Sequence, residues 1–446
     1  MTTLAASTQT RPAQTQFAQT PSPTVRPAAA FGAAVALSCR ECGERVELGP
    51  EYVCRSCFGP LEVAYDWSAR PVTRAEIERG PGSIWRYAPL LPVAADVASR
   101  PNLNPGGTRL VKADNLAREL GLRSLYVKDD SGNPTHSFKD RVVAIALEAA
   151  RTFGFTTLSC SSTGNLAGAV AAAAARAGLQ SCVFIPAGLE LGKIVMAAVY
   201  GGRLIALDGT YDDVSRFCSE LIGSAEIGHG GDEVGLGWGF VNVNLRPFYA
   251  EGSKTLSYEI AEQLGWRLPE QIVIPLASGS QLTKIDKGLR ELVALGLVED
   301  RPYRLYGAQA TGCSPIAAAF KAGHDTVQPV RPDTIAKSLA IGNPADGPYV
   351  LDAVRRTGGA VEDVSDPEIV AAIRLLARTE GIFTETAGGV TLGALRKLVE
   401  AGKLDPAAET VVINSGDGLK TLDAVSDAGV TATIKPSLAA FKAAGL

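Results

Sequence analysis

The sequence lacks an excess of charge of either sign and lacks any long apolar run. It has 43 Lys and Arg against 47 Asp and Glu, a net charge of −4, so we expect no attraction to nucleic acid or to an anionic membrane. No apolar stretch approaches the ~20 residues that a membrane-spanning helix requires. With 446 residues, of which 46% are apolar, the chain can instead bury the cores of two domains.

The N-terminal segment is poor in charge and in side chains that could be buried. Residues 1–35 are mainly a mixture of Thr, Ala, Gln and Pro. Such a composition cannot offset the entropy of ordering, and we predict a disordered tail over residues 1–35. Residues 28–37 resemble the apolar part of a signal peptide, but only two arginines precede them and no clear cleavage pattern is present. We therefore expect a cytoplasmic protein.

The eight cysteines divide into two groups. The first group, Cys39, Cys42, Cys54 and Cys57, forms two C-x-x-C pairs separated by eleven residues. This spacing lets two turns present four thiolates tetrahedrally, and we predict a structural zinc ribbon over residues 36–65. Disulfides or free thiols are the competing interpretations, although nothing else indicates an oxidising compartment. The remaining four lie in apolar segments and are predicted to be small core residues: Cys160, Cys182, Cys218 and Cys313.

From residue 124 onward, apolar segments alternate with helical patterns. Predicted strands cover residues 124–128, 158–160, 181–185, 203–207, 271–276, 303–308 and 410–413, and predicted helices cover residues 166–177, 193–200 and 212–222. Near-continuous apolar strands separated by helices predict an α/β fold with open, mostly parallel sheets covered by helices. Ligands of such folds bind beyond the carboxyl ends of strands. The loops that hold Asn133, Ser162, Gly279 and Ser415 all follow predicted strand ends.

Lys139 stands in the predicted first turn of a helix. Asn133-Pro134 stops the preceding strand, and an apolar stripe begins at Phe138. The helix dipole and partial burial both disfavour an ammonium group there, so we expect a lowered pKa and an amine able to form a Schiff base. An ordinary surface lysine paired with Asp140 or Glu148 is the alternative.

Three segments together resemble a known family. Residues 135–141, Thr-His-Ser-Phe-Lys-Asp-Arg, resemble the Schiff-base lysine segment of threonine synthases, which belong to the tryptophan-synthase-β-like (fold type II) enzymes that use pyridoxal phosphate. Residues 161–167 resemble the loop that holds the substrate carboxylate, and residues 414–420 resemble the segment facing the pyridine nitrogen. The resemblance extends from about residue 85 to the C-terminus and implies a two-lobed catalytic region, residues 66–446, with the cofactor in the cleft between the lobes.

The resemblance also implies roles for individual residues. Lys139 would carry the cofactor, Asn165 would bind its phenolic oxygen and Ser415 would face the pyridine nitrogen. The cup for the cofactor phosphate would comprise Ser278, Gly279, Ser280, Gln281 and Leu282, although many relatives have more glycines there. Ser162 and Thr163 would hold the substrate carboxylate, unless they only cap a helix. The candidates for a substrate phosphate are Lys112, Lys193, Asn242, Asn244 and Arg246; a solvated surface is the alternative for each cation.

The activity implied by this resemblance is that of a pyridoxal-phosphate-dependent lyase. It would convert O-phospho-L-homoserine and water to L-threonine and phosphate by γ-elimination and β-addition of water, as a homodimer. A threonine/serine dehydratase or a cysteate-forming, β-replacing enzyme would share the lysine and the Ser-x-Gly-Asn loop, but a dehydratase needs no cationic site for a phosphate. A catalytically inactive relative that binds metabolites is a further alternative.

Overall fold

The computed structural model describes residues 30–68, 71–162, 164–223 and 237–445. A small antiparallel sheet comes first, in the order β2-β1-β3, formed by β1 (Ala34–Cys39), β2 (Arg45–Val46) and β3 (Leu61–Tyr65). Phe31 precedes it, fully buried and stacked on Phe248 with ring centroids 5.0 Å apart. The predicted tail was therefore too long at its C-terminal end, because Phe31 supplies apolar surface that anchors residues 30–35. Residues 1–29 lie outside the described residues.

A six-stranded sheet forms the larger lobe. Its order is β12-β11-β10-β13-β5-β4. The strands are β4 (Arg109–Lys112), β5 (Ser124–Asp129), β10 (Gln271–Pro275), β11 (Arg304–Ala310), β12 (Val361–Val364) and β13 (Glu409–Asn414). Every neighbouring pair is parallel except β4 with β5, which is antiparallel and lies at the edge. The last strand of the chain, β13, thus lies in the middle of the sheet.

A four-stranded sheet forms the smaller lobe, and all its pairs are parallel. Its order is β8-β7-β6-β9, with β6 (Thr157–Ser161), β7 (Gln180–Pro186), β8 (Arg203–Leu207) and β9 (Trp238–Phe240). The predicted α/β architecture with two open, mostly parallel sheets is confirmed.

Helices connect these strands, as expected for parallel sheets. Those of the first half are α1 (Arg74–Glu78), α2 (Asp114–Leu120), α3 (Lys139–Thr152), α4 (Asn165–Ala177), α5 (Leu191–Ala198), α6 (Tyr211–Gly223) and α7 (Arg246–Glu251). Those of the second half are α8 (Lys254–Gln263), α9 (Ser280–Ala294), α10 (Pro315–Lys321), α11 (Gly347–Arg356), α12 (Asp366–Glu380), α13 (Thr386–Glu400) and α14 (Leu438–Ala443). Within the described ranges, no helix is long and apolar enough to cross a bilayer.

A buried ionic network joins α3 to α8 and to the loop after β5. Arg141, fully buried, donates to Asp130 and to Glu259, each at 2.7 Å. The Lys128 ammonium donates to the same Glu259 carboxylate at 2.7 Å. Despite burial, these two cations hold the pKa of Glu259 well below its usual range. The network fixes the start of α3, where Lys139 lies, against the body of the protein.

Candidate active site

Two adjoining cavities meet at Lys139, at the carboxyl ends of strands from both parallel sheets. We name the first the serine-loop cavity; it is lined by Lys139, Asn165, Tyr249, Ser278, Gly279, Ser280, Gln281, Glu385 and Ser415, among others. We name the second the arginine cavity; it is lined by Lys139, Ser161, Ser162, Asn165, Tyr211, Asn242, Arg246 and Tyr249, among others. The lysine is thus shared by both cavities.

The segment before Lys139 is held against the segment after β13. Ser137 forms a β-bridge with Gly416, and the Phe138 N–H donates to the Ser415 carbonyl oxygen at 3.0 Å. Helix α3 begins at Lys139 itself, as the sequence predicts. These contacts place the lysine beside Ser415, 276 positions later in the sequence.

The Lys139 amine has few polar neighbours. Its Nζ donates to the Tyr249 hydroxyl at 3.2 Å and lies 4.5 Å from the centre of the Phe138 ring. Removal from bulk water disfavours the ammonium form and lowers the pKa of Lys139 to about 8. This shift has the direction predicted from the sequence, and it leaves a substantial fraction of free amine near neutral pH.

The serine loop follows β10 and leads directly into α9. Gly279 has φ +95°, and a Cβ there would lie 2.6 Å from Val350 Cγ2, so only glycine fits. The loop therefore turns sharply and presents the N–H groups at the start of α9, an arrangement that attracts anions. Gln281 Nε2 is buried without a hydrogen-bond partner among the described residues. Leu282, by contrast, packs in the apolar core, so its side chain does not reach the cavity.

Four side chains from distant segments meet at the edge of the serine-loop cavity. Asn165 Nδ2 donates to both Glu385 carboxylate oxygens at 2.9 Å, and its Oδ1 accepts from Lys420 Nζ at 3.1 Å. The Ser415 hydroxyl lies 3.4 Å from Glu385 Oε1. The structure therefore brings together Asn165 and Ser415, as predicted. It adds Glu385 and Lys420, whose roles no local sequence pattern indicates.

The arginine cavity contains the predicted Asn242 and Arg246. Asn242 Nδ2 donates to the carbonyl and hydroxyl oxygens of Ser161 at 3.0 and 2.9 Å, while its buried Oδ1 has no partner among the described residues. Arg246 Nη2 donates to Asp346 Oδ2 at 2.7 Å. The Asp346 carboxylate raises the pKa of Arg246 further, so the guanidinium is permanently charged. A charged guanidinium is thus available in the cavity that Lys139 shares, whereas the free atom of Asn242 is an acceptor.

The hydroxyl of Ser162 mainly stabilises the start of α4. It accepts from the N–H groups of Gly164 and Ala167 at 3.0 and 2.9 Å. This is the capping role that the sequence left open, although Ser162 also lines the arginine cavity. Thr163, the other predicted carboxylate ligand, lies outside the described residues.

Three predicted phosphate ligands, Lys112, Asn244 and Lys193, do not line either cavity. Lys112 lies at the end of edge strand β4, is 58% exposed and pairs with Asp114 at 3.1 Å. Asn244 Oδ1 accepts from the Phe240 N–H at 2.8 Å, so this amide is used to stabilise a turn. Lys193 is buried too, and its ammonium pairs with Glu190 at 3.1 Å.

The four N-terminal cysteines lie within 4.8 Å of one another. The Sγ atoms of Cys39 and Cys57 are 3.4 Å apart, and those of Cys42 and Cys54 are 3.7 Å apart. These separations exceed a disulfide bond by more than an ångström. They approach the edge of a tetrahedron around zinc, which is about 3.8 Å for Zn–S bonds of about 2.3 Å. The four cysteines of the predicted zinc site are therefore brought together in space.

The class of protein follows from fold and site together. Residues 102–416 match the family described as "Pyridoxal-phosphate dependent enzyme". The chain shares its fold with a fungal L-serine ammonia-lyase from Rhizomucor miehei, with a TM-score of 0.58 and 22% identity over 73% of this chain and 99% of that one. This family match and this fold, with a buried lysine beside the start of α9, identify the chain as a fold type II pyridoxal-phosphate enzyme.

Comparison with individual relatives identifies the family within this class. The threonine synthase of Methanosarcina acetivorans is 36% identical over 394 residues, which cover 88% of this chain and 93% of the relative. That of Methanocaldococcus jannaschii is 36% identical over 390 residues, covering 86% and 93%. The chain belongs to the threonine synthase family of pyridoxal-phosphate-dependent enzymes, as the three sequence segments implied.

Proposed function

We propose that the chain is a threonine synthase, which converts O-phospho-L-homoserine and water to L-threonine and phosphate. The family carries this proposal, and one structural observation favours it over a dehydratase. The Lys139 amine lies between two places suited to anions: the start of α9 in one cavity, and Arg246 in the other. A dehydratase substrate has no phosphate, so the N–H donors of Arg246 that Asp346 leaves free would have no phosphate to bind in that reaction.

The residues present fit pyridoxal phosphate. The unpartnered Gln281 Nε2 and the N–H groups at Ser278–Ser280 would hold its phosphate. Asn165 and Ser415 would contact the polar atoms of its ring, and Lys139 would bind it covalently. When bound, the cofactor supplies an electrophilic carbon for amines and a ring that accepts electrons. A hydroxyl at Ser415, rather than a carboxylate, would leave the ring nitrogen largely unprotonated.

The protein's own groups would manage the protons and the leaving phosphate. Lys139, with a pKa of about 8, is suited to take protons from Cα and Cβ of the substrate near neutral pH. The Tyr249 hydroxyl, 3.2 Å away, holds the amine in place. Arg246 would bind the phosphate and neutralise it as it leaves Cγ, with Asn242 lining the same cavity, and water would then add at Cβ.

An assay of phosphate release tests this function. The wild type should form phosphate and threonine in equal amounts from O-phospho-L-homoserine. Lys139→Ala should lose about 10³-fold in rate and lose the visible absorbance of the bound cofactor. Lys112→Ala is the matched control: this lysine is exposed and paired with Asp114, so its activity should stay at the wild-type level. If the wild type deaminates threonine but releases no phosphate, the dehydratase assignment replaces this one.

We propose that residues 36–65 bind structural zinc, with Cys39, Cys42, Cys54 and Cys57 as ligands. The tetrahedral spacing of their sulfur atoms supports this assignment. Thiolates of this kind persist in a reducing compartment, which supports a cytoplasmic location. Metal analysis of protein purified under reducing conditions should find about one zinc per chain; less than half an equivalent would contradict the proposal.

We also propose a domain organisation and an oligomeric state for the chain. Residues 66–446 would form the two-lobed catalytic region, and two chains would associate as a homodimer. Exposed apolar side chains support association: Leu191 and Val195 on α5, Val199 directly after it, and Leu419 on the adjoining segment. Light scattering at micromolar concentration would show a dimer, whereas a concentration-independent monomer would refute this part.

A further inference from the structure

Asp346 contacts three separate segments: the one that holds Arg246, the first cysteine turn and the serine loop. It immediately precedes α11 and is 4% exposed. Its Oδ2 accepts from Arg246 Nη2 at 2.7 Å, and its Oδ1 lies 3.4 Å from Arg40 Nη1. Its backbone N–H donates to the carbonyl oxygen of Ser278 at 2.9 Å. Asp346 therefore contacts one residue of the arginine cavity, one of the serine loop and one of the cysteine module.

Arg40 belongs to the first cysteine turn, directly after Cys39. Its guanidinium lies over the ring of Tyr349, 3.6 Å from the centroid, and the Tyr349 hydroxyl donates to Glu41 in the same turn. The side chain of Arg40 is only 21% exposed. This turn therefore packs against Asp346 and the first turn of α11. The contacts are the ion pair with Asp346, the guanidinium over the Tyr349 ring and the hydrogen bond to Glu41.

The second cysteine turn provides an internal comparison. Arg55 follows Cys54 just as Arg40 follows Cys39. Its side chain is 80% exposed and pairs with Glu51 within the module. Both arginines thus occupy equivalent positions in C-x-x-C pairs, and the described contacts of Arg40 reach the catalytic region.

A guanidinium is planar, with five N–H donors in a rigid fork. The contact between Arg246 Nη2 and Asp346 Oδ2 restrains the guanidinium and leaves further donors for a ligand in the cavity. This restraint is effective only if the Asp346 carboxylate is itself held in place. Arg40 on Oδ1 and the Ser278 contact on the backbone restrain it from two sides.

We propose that Asp346 positions Arg246 for the phosphate of the substrate, and that the metal-bound first cysteine turn holds Asp346 through Arg40. Metal loading then sets the affinity of the arginine cavity for phosphorylated ligands. The inference rests on the proposed function for the identity of the substrate. The contacts from Arg40 through Asp346 to Arg246 do not involve Lys139 or require movement of the serine loop. Loss of the Arg40 contact should therefore leave the chemistry at Lys139 intact.

Arg40→Met and Arg55→Met, each as holoenzyme with cofactor, test the connection. Arg40→Met should raise KM for O-phospho-L-homoserine about tenfold, which corresponds to about 1.4 kcal/mol. The inhibition constant of inorganic phosphate should rise by the same factor, with kcat within about twofold of wild type. Inhibition by L-threonine, which has no phosphate, should be unchanged. Arg55→Met should match the wild type throughout.

Removal of the metal completes the test. Chelator treatment of the wild type should reproduce the Arg40→Met values, and the same treatment of Arg40→Met should add nothing further. Asp346→Asn, which keeps the shape of the side chain, should weaken phosphate inhibition in the same way if Arg40→Met does not fold. Equal constants for Arg40→Met and Arg55→Met would overturn the inference, as would an equal loss of threonine and phosphate affinity.

Calorimetric titration with inorganic phosphate separates this inference from the proposed function. A wild type that does not act on O-phospho-L-homoserine would refute the function. The difference in phosphate affinity between Arg40→Met and Arg55→Met would still confirm or refute the connection through Asp346.

Discussion

The lowered pKa of Lys139 predicts how fast the apoenzyme attaches its cofactor at each pH. With a pKa of about 8, about 9% of the amine is free at pH 7, against about 0.04% for an ordinary lysine of pKa ~10.4. Burial therefore increases the reactive form about 200-fold at neutral pH. Covalent attachment of pyridoxal phosphate should accelerate about tenfold per pH unit up to pH 8 and then level off.

The same shift makes Lys139 costly for the stability of the apoprotein. Its folded pKa lies below its unfolded pKa, so the unfolded chain binds more protons between pH 8 and about 10.4, and stability rises with pH across that window. Below pH 8 the full cost applies. Lys139→Met should therefore raise the free energy of unfolding of the apoprotein at pH 7 by about 1–3 kcal/mol, and this gain should shrink at pH 10.

Rapid mixing of apoenzyme with cofactor, followed by absorbance from pH 6 to 10, measures the first effect. Urea unfolding of the apoprotein at pH 7 and pH 10 measures the second. Lys112→Met is the control, since this lysine is exposed and should change neither quantity. An attachment rate that still climbs tenfold between pH 9 and 10, together with no stabilisation by Lys139→Met, would refute a pKa lowered by burial.

Three further predictions concern the serine loop, the buried ionic network and the zinc site. Gly279→Ala should weaken cofactor binding, whereas Gly201→Ala, with φ +78° but open space around a Cβ, should cost only about 1 kcal/mol of stability; equal cofactor affinities would contradict this. Glu259→Gln leaves two buried cations undercompensated and should cost about 3–5 kcal/mol in urea unfolding, against less than about 1 kcal/mol for Glu119→Gln in an exposed ion pair. A smaller difference would count against the network. Cys42→Ser should remove most of the zinc found by metal analysis; full retention would exclude Cys42 as a ligand.

Local sequence patterns predicted the sheets well, because apolar strands flanked by helices carry their signal within a few residues. The strand predicted at residues 203–207 is β8, Arg203–Leu207, and that predicted at 410–413 lies within β13. The position of Lys139 at the start of a helix is equally local. For these features, no knowledge of distant contacts was needed.

Residues that act through distant contacts were missed or misassigned. Glu385 meets Asn165 across 220 positions, and Tyr249 meets Lys139 across 110; no pattern near either residue indicates such a neighbour. Lys112 was wrongly expected at the site, because charge alone does not tell on which edge of a sheet a lysine lies. The prediction for Asn244 was wrong for a different reason. Its amide oxygen accepts a hydrogen bond that stabilises a local turn, so it is not available to a ligand.

The position of β13 has a consequence for biosynthesis of the chain. This strand pairs with β10 on one side and with β5 on the other, although β5 leaves the ribosome almost 300 residues earlier. The two halves of the larger sheet therefore have unpaired edges until residues 409–414 emerge. Such edges are prone to aggregate. Nascent chains should thus depend on chaperones until translation is nearly complete, and premature stop codons late in the gene should yield insoluble protein rather than a partly active enzyme.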